Sequence, residues 1–388
     1  MNLLDIKSLS LEEIESFVTG QGEPRFRAHQ VIDWLFVKGA GSFAEMTNLP
    51  RALRSRLAES AVITVPEIMS KQTTDGGLTV KYLFRLADGE AVETVFMYRR
   101  WGRAVCVSTQ VGCRMVCRFC ASGMRGLVRN LTSGEIYDQV LFSGKDAGVR
   151  PSHVVLMGTG EPFDNLDNTL RFIKTITHPA GLRIGARHIT VSTCGVVPGI
   201  CALAQLGLQV GLAVSLHAPN DALRDQLVPI NRRYPLGELI PACRDYVRKT
   251  GRRVTFEYTL ISGRNDGAKE AEELAELLRG LLCHVNIIPL NPVEERNFRA
   301  PAPKQVVAFK RILEKRGIVA TIRRETGAGI SAACGQLRYR YDKQNLISEG
   351  RLPLSKSTIK WGLFTKPAWR VESGIGCNNP QGFGKKQQ

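Results

Sequence analysis

From residue 104 onward, short β-branched runs alternate with amphipathic helical stretches, and this alternation limits the fold more than any other feature. Strands are expected at residues 104–109, 153–157, 188–192, 210–216, 254–260, 285–288 and 319–322. Helices are expected between them at 132–146, 166–177, 198–206, 236–249, 268–278 and 304–315. Thr132 with Glu135 three residues later has the spacing of a capping box. Strands that alternate with helices build parallel βαβ units with the helices outside. Rhythm alone does not separate an open sheet from a complete or partial barrel. In either case reactive residues belong at the C-terminal ends of the strands. Residues 189–220 carry no charged side chain, yet Gly195, Pro198, Gly199, Gly207 and Gly211 break the stretch. It reads as a buried strand–helix–strand unit rather than a membrane span.

The flanks differ. Residues 11–57 read as helical, with Ser10 and Glu13 in a second capping-box spacing and a turn at 20–25. Residues 79–84 and 91–98 alternate like the strands of a hairpin around Ala87-Asp88-Gly89. Residues 340–388 hold nine Lys/Arg and three Asp/Glu in a weak pattern, which reads as a flexible basic tail. The expected organisation is a helical accessory domain at 1–60, a linker and hairpin at 61–103, a catalytic domain at 104–338 and the tail at 339–388. Fifty-three Lys+Arg against thirty-six Asp+Glu leave a net charge of +17, which favours a polyanionic partner. Residues 1–13 lack a basic region followed by an apolar core, so a reducing, cytoplasmic setting is expected. There, ten cysteines point to metal binding or catalysis rather than a disulfide framework.

The strongest chemical signal is Cys113-Arg-Met-Val-Cys117-Arg-Phe-Cys120, directly after the first expected strand of the repeat. Three thiolates in one tight loop suit a four-iron cluster and leave one iron open to chelate a small molecule. Structural zinc is the alternative; it needs four ligands, and only Cys106 lies near without a matching second pair. That alternative corresponds to a non-catalytic, zinc-stabilised RNA-binding module. Residues 99–129 contain Arg99, Arg100, Arg103, Arg114, Arg118, Arg125 and Arg129 and no acid. They read as a phosphate-binding rim around the loop. From the residues alone, Cys106 reads as a core strand residue, Glu93 as a surface residue at a strand start, and His217 equally as a buried structural histidine.

The three-cysteine loop with an aromatic before its last cysteine resembles the signature of the radical S-adenosylmethionine (SAM) superfamily. Met157-Gly158-Thr159-Gly160-Glu161-Pro162 resembles that family's glycine-rich segment for the methionine amino group. Glu93-Thr94-Val95, Val105-Cys106-Val107-Ser108, Ser192-Thr193-Cys194-Gly195, Ser215-Leu216-His217, Asn291-Pro292 and Ala333-Cys334-Gly335-Gln336 resemble one branch, the RNA adenine methyltransferases RlmN and Cfr. The N-terminal Gly22-Glu23-Pro24-Arg25-Phe26 and Trp34-Leu35-Phe36 are similar to that family's accessory domain. The resemblance implies a partial (β/α)6 barrel with a small N-terminal helical domain. It implies a [4Fe–4S] cluster on Cys113, Cys117 and Cys120, with SAM contacted by Gly160, Glu161, Ser192, Ser215, Leu216, His217 and Asn291. It further implies an S-methylcysteine at Cys334, a resolving Cys106 that forms a disulfide with Cys334, and Glu93 as acceptor of the ring proton. Two SAM are consumed per methyl group added. The implied substrates are 23S rRNA and some tRNAs, with an external donor such as flavodoxin or ferredoxin, no membrane, and a monomeric enzyme. Within the branch the wording resembles the C2-methylating housekeeping enzymes more than the C8-methylating resistance enzymes. Cys194 departs from the pattern, standing where a serine is expected.

Overall fold

The structure is a computed structural model that describes residues 3–74, 76–291 and 296–323. Cys334, its surrounding motif, Pro292 and the basic tail lie outside the described residues.

A two-residue strand β1 (Leu4–Asp5) leads into three helices, α1 (Leu11–Thr19), α2 (Arg25–Asp33) and α3 (Arg51–Ser60). A second short strand β2 (Ala61–Val62) returns beside β1 in parallel. The Ser10 capping box forms as the spacing predicts. α2 runs on into a π turn at Trp34–Lys38, which Gly39 ends at φ 65°. Next come β3 (Glu67–Thr73), β4 (Thr79–Arg85), β5 (Ala91–Arg99) and β6 (Gly102–Cys106), followed by a small ribbon of β7 (Gln110–Gly112) and β8 (Leu127–Asn130). The repeat then follows as α4 (Ser133–Asp146), β9 (His153–Leu156), α5 (Leu166–Thr177), β10 (Ile189–Thr193), α6 (Val197–Gln205) and β11 (Gly211–Ser215). It continues through α7 (Asp221–Leu227), α8 (Leu236–Thr250), β12 (Val254–Leu260), α9 (Ala268–Leu277), β13 (Cys283–Pro289), α10 (Pro303–Lys315) and β14 (Ala320–Ile322).

All strands from β3 on, apart from the β7–β8 ribbon, join one sheet of order β14-β13-β12-β11-β10-β9-β6-β5-β4-β3. The strands from β6 to β14 pair in parallel, and β3, β4 and β5 extend the β6 side as an antiparallel meander. The expected hairpin is therefore part of the main sheet. The expected strand–helix–strand reading of 189–220 holds as β10, α6 and β11. Among the described residues no helix is long and apolar enough to cross a membrane.

Register sorts the sheet into two faces. Val105, Val154, Leu156, Val191, Leu212, Val214, Val254, Phe256, Val285 and Ile287 share one face and are buried in the main core with the helices. The opposite face carries Cys106, Ser192, Ser215, Glu257 and Asn286 by the same alternation. On the meander, Thr94 bonds Gln139 of α4 at 2.9 Å, so Glu93 turns to the face opposite the helices. Val95 pairs with both Lys81 and Cys106, which places those two residues on Glu93's face as well.

The N-terminal helices share this core rather than forming a separate one: Phe36, Leu53 and Leu57 belong to the same buried cluster as Tyr137 and Phe172. The Tyr137 hydroxyl donates to the Phe36 carbonyl at 2.8 Å, and Lys7 forms a buried ion pair with Asp138 of α4. Gly134 permits this seating, since a methyl group there would lie 2.6 Å from the Lys7 carbonyl oxygen.

Candidate active site

Cys113, Cys117 and Cys120 follow β6 and β7 at the C-terminal end of the parallel strands. The Cys113 amide donates to the Gly126 carbonyl at 2.9 Å, the Cys120 amide to the Cys117 carbonyl at 3.1 Å, and the Arg118 amide to the Leu227 carbonyl at 3.0 Å. The turn needs Gly112, whose φ of 79° is joined by an approach that would put a methyl group 2.0 Å from the Gly126 oxygen. Cys113 lies in a small apolar cluster with Met115, Leu227, Val228, Ile230, Ile261 and Leu290, against which Cys117 and Phe119 pack. Burial pushes the Cys117 thiol up to about 12 and Cys113 well above its usual range, and the neighbouring thiols push the same way. Such thiols ionise only when a cation binds them. Among the described residues, no three His, Cys, Asp or Glu side chains gather closely enough for a single metal ion. A zinc ion would hold its sulfurs at about 2.3 Å from one centre. A four-iron cluster takes each thiolate on a different iron, so three sulfurs that do not converge on one point, one buried and two half-buried beside an apolar nest, fit it better.

The second loop of the repeat is locked to this one. The Thr159 amide donates to Ser108 Oγ at 3.0 Å, and the Thr109 amide to the Thr159 carbonyl at 2.9 Å. Side chains would not fit: a methyl on Gly158 would sit 2.7 Å from Ser108 Oγ, and one on Gly160 (φ 110°) 2.7 Å from Gln110 Cβ. Glu161 is buried, and its carboxylate accepts from the amides of Phe163 at 3.1 Å and Cys194 at 2.8 Å. Burial raises its pKa; those amides and the Thr193 and Cys194 side chains oppose the rise. A buried carboxylate with spare lone pairs in this position suits an ammonium group.

The ends of β10 and β11 meet at a residue the sequence reading missed. The Arg224 side chain from α7 is wholly buried. It donates to the carbonyls of Cys194 at 2.6 Å, Leu216 at 3.1 Å and Ser215 at 3.3 Å, and to Asn231 Oδ1 at 2.8 Å. Asn231 in turn donates to Asp221 and Asp225. No local signal marks Arg224, because an arginine on a short helix ordinarily reads as solvated. Arg224→Met orphans those buried carbonyls, so a stability loss of about 1–3 kcal/mol is expected. Thermal melting checks this; a midpoint equal to the parent's would refute the assignment.

His217 sits beside this network with φ 58°. Its Nδ1 accepts from the Thr259 amide at 3.0 Å, which places the ring proton on Nε2. Burial, aided by Arg224, pushes its pKa down to about 3, so the ring is neutral. Phe119, the aromatic before Cys120, meets the His217 ring edge-on at 4.7 Å. Ser192 and Ser215 end their strands half-buried, and Leu216 is buried with its amide donating to the Glu257 carbonyl at 3.0 Å. Asn291 is half-buried just past β13. The site thus gathers Cys113, Cys117, Cys120, Glu161, Cys194 and His217 at one end of the sheet.

Two readings are corrected. Glu93 is not a surface residue: it is 4% exposed, and its carboxylate pairs with the equally buried Lys81 at 3.0 Å. The alternation of β4 marks Lys81 as the polar face, but that face is the polar interior of the sheet rather than solvent. Glu257, buried and bonded to Asn286 at 2.8 Å, escaped notice for the same reason. The arginine rim also divides. Arg114 pairs with Asp164 at 2.7 Å, and Arg129 pairs with Asp88 and Glu135 at 2.6 and 2.8 Å. Arg100 and Arg103 lie at the opposite end of β6 from the cysteine loop.

An open run of six βα units, a three-cysteine loop after its first strand and a glycine–glutamate loop after its second define a radical SAM enzyme, and residues 107–278 match the radical SAM superfamily. Residues 1–63 match the ribosomal RNA large subunit methyltransferase N-terminal domain. A protein of Pelotomaculum thermopropionicum named "Probable dual-specificity RNA methyltransferase RlmN" is 60% identical over 336 residues, which cover 86% of this chain and 91% of that relative. One of the same name from Geobacillus kaustophilus is 52% identical over 345 residues, covering 88% and 94%. The crystal structure of a radical SAM methyltransferase from Sphaerobacter thermophilus superposes with a TM-score of 0.82 at 50% identity, covering 86% of this chain and 98% of that one. The chain belongs to the RlmN family of radical SAM, SAM-dependent RNA methyltransferases.

Proposed function

We propose that this enzyme methylates C2 of an adenine in 23S rRNA and in some tRNAs, in the cytoplasm, as a monomer served by an external one-electron donor such as flavodoxin or ferredoxin. The observation that carries the reading is the shared sheet face of Glu93 and Cys106, beside the strand ends that hold the cysteine loop and Glu161. Cys113, Cys117 and Cys120 would hold one [4Fe–4S] cluster. When bound, that cluster with SAM supplies a 5′-deoxyadenosyl radical. Glu161 would take the SAM ammonium, with Gly160 giving the backbone approach; Ser192, Ser215, Leu216, His217 and Asn291 would complete the SAM pocket. Arg224 and Phe119 hold the strand ends and His217 in place. Cys334 accepts a methyl group from a first SAM as a thiolate nucleophile. Its S-methyl carbon, after loss of a hydrogen atom to the radical from a second SAM, bonds to the adenine carbon. Glu93, kept in place by Lys81, removes the ring proton as the adduct radical gives up one electron, which returns to the electron-donor couple. The Cys106 thiolate then attacks the Cys334 sulfur, the sulfur–carbon bond breaks toward the methylene carbon, that carbon takes a proton to become the methyl group, and the Cys106–Cys334 disulfide is left as the methylated RNA departs.

Glu93→Gln keeps the shape and removes the base, so kcat is expected to fall by about 100-fold or more with iron content unchanged. Single-turnover methylation checks this; parental rates would take Glu93 out of the mechanism. The position is tested by nucleoside mass spectrometry of RNA treated with the reconstituted enzyme, SAM and a reductant. C2-methyladenosine is the expected product. C8-methyladenosine would move the enzyme to the resistance chemistry, and neither product with SAM still cleaved would overturn the substrate position.

A further inference from the structure

The loops at the N-terminal ends of the parallel strands face away from the cysteine loop, and their composition is one-sided. Residues 99–103, 147–152, 178–188, 206–210, 250–253, 278–282 and 316–319 lead into β6, β9, β10, β11, β12, β13 and β14. None of these segments contains Asp or Glu, and every one except 206–210 contains arginine. Part of this is local, because helix C-termini end here and attract cations. That account does not reach the β5–β6 turn, which joins two strands.

In that turn Arg100, Trp101 and Arg103 are all exposed, and the Trp101 indole is 59% exposed, a large apolar surface left in water. The indole is not loose. The His153 ring meets it edge-on at 4.5 Å, and His153 Nε2 lies 2.8 Å from Nδ1 of His188. Exposed Arg187 and Arg253 lie along the same end of the sheet. Unlike Arg114 and Arg129 near the cysteines, these arginines form no ion pair among the described residues. Unpaired guanidinium groups around a braced, exposed indole have the chemistry of a nucleic-acid surface, with cations for phosphates and an aromatic face for a base.

We propose that this end of the sheet is a second RNA-docking surface, which holds the substrate's phosphate backbone away from the target nucleotide and stacks an unpaired base on Trp101. The proposal rests on the family's RNA substrate and not on the C2 assignment, so a different methylation position would leave it intact. The test is fluorescence anisotropy of a labelled transfer RNA transcript with the full-length, cluster-loaded enzyme over a salt series. Arg100→Gln with Arg103→Gln is expected to weaken binding about tenfold and to lower the slope of log K against log salt by between about one and two. Trp101→Ala is expected to weaken binding roughly tenfold with the salt slope unchanged. In methylation assays both variants should raise KM and leave kcat alone. If Trp101→Ala disturbs His153, as a lowered melting temperature would reveal, the arginine pair still decides, because both side chains are exposed. Parental affinity and salt slope in the arginine double variant would overturn the proposal. So would parental RNA binding coupled to slowed reduction of the cluster, which would assign the surface to an acidic electron donor.

Discussion

Enzyme carrying Cys117→Ala is expected to emerge from anaerobic reconstitution colourless and without iron, and Cys113→Ala and Cys120→Ala should behave alike. The loop supplies three sulfurs, and among the described residues no further group of metal-type side chains gathers around a single ion. Loss of one sulfur leaves two, too few to retain a four-iron cluster in a site that must already keep one iron open. The fold should survive, because the backbone bonds of Cys113 and Cys120 and the apolar packing of Met115 do not depend on the thiols. Circular dichroism and melting should therefore match the cluster-free parent. A brown variant with full iron content would refute the ligand set.

The second large effect is expected from Cys106→Ala, which should accumulate as a covalent protein–RNA adduct and stop after one turnover. Cys106 ends β6 in register with Val95, on the sheet face that also holds Glu93 and Lys81. Alanine fits that strand position without a clash, so substrate binding and the first bond-forming steps should persist. Release should not, because in the proposed sequence the Cys106 thiol breaks the link between Cys334 and the RNA. A shifted band on a denaturing gel, dependent on SAM and sensitive to nuclease, is the expected readout. Free methylated RNA formed over many turnovers would remove Cys106 from the mechanism.

The sequence made the repeat legible because parallel strands and their helices are local patterns. The strands from β9 to β14 and the two capping boxes form where spacing puts them. The cysteine loop and Glu161 were visible for a similar reason, since each follows a strand directly. What stayed hidden was long-range. Arg224 matters only because α7 carries it to the carbonyls that end β10 and β11. Lys81 and Glu257 sit at positions whose alternation marks them polar, but alternation does not distinguish water from a polar interior. β3 was missed because it is an edge strand with no buried residue, so it lacks an apolar face to betray it. Arg100 and Arg103 looked like neighbours of the cysteines because chain distance was short, whereas strand β6 sends them to opposite ends.

The order of the sheet also bears on how the chain is made. Spatial order follows chain order from β3 to β14, with only the short β7–β8 ribbon standing aside. Each strand leaving the ribosome therefore finds the edge it must join already built, and no gap has to be held open for a later arrival. The thiols are less fortunate. Cys120 is synthesised about a hundred residues before Arg224, an interval of roughly 5–20 s at ordinary translation rates. Until that interval ends, the wall formed by Cys194, His217 and Arg224 is incomplete around the cysteine loop. The nascent thiols are at their most accessible then, to iron delivery and to oxidation alike, so newly made protein should be more oxygen-sensitive than the finished fold.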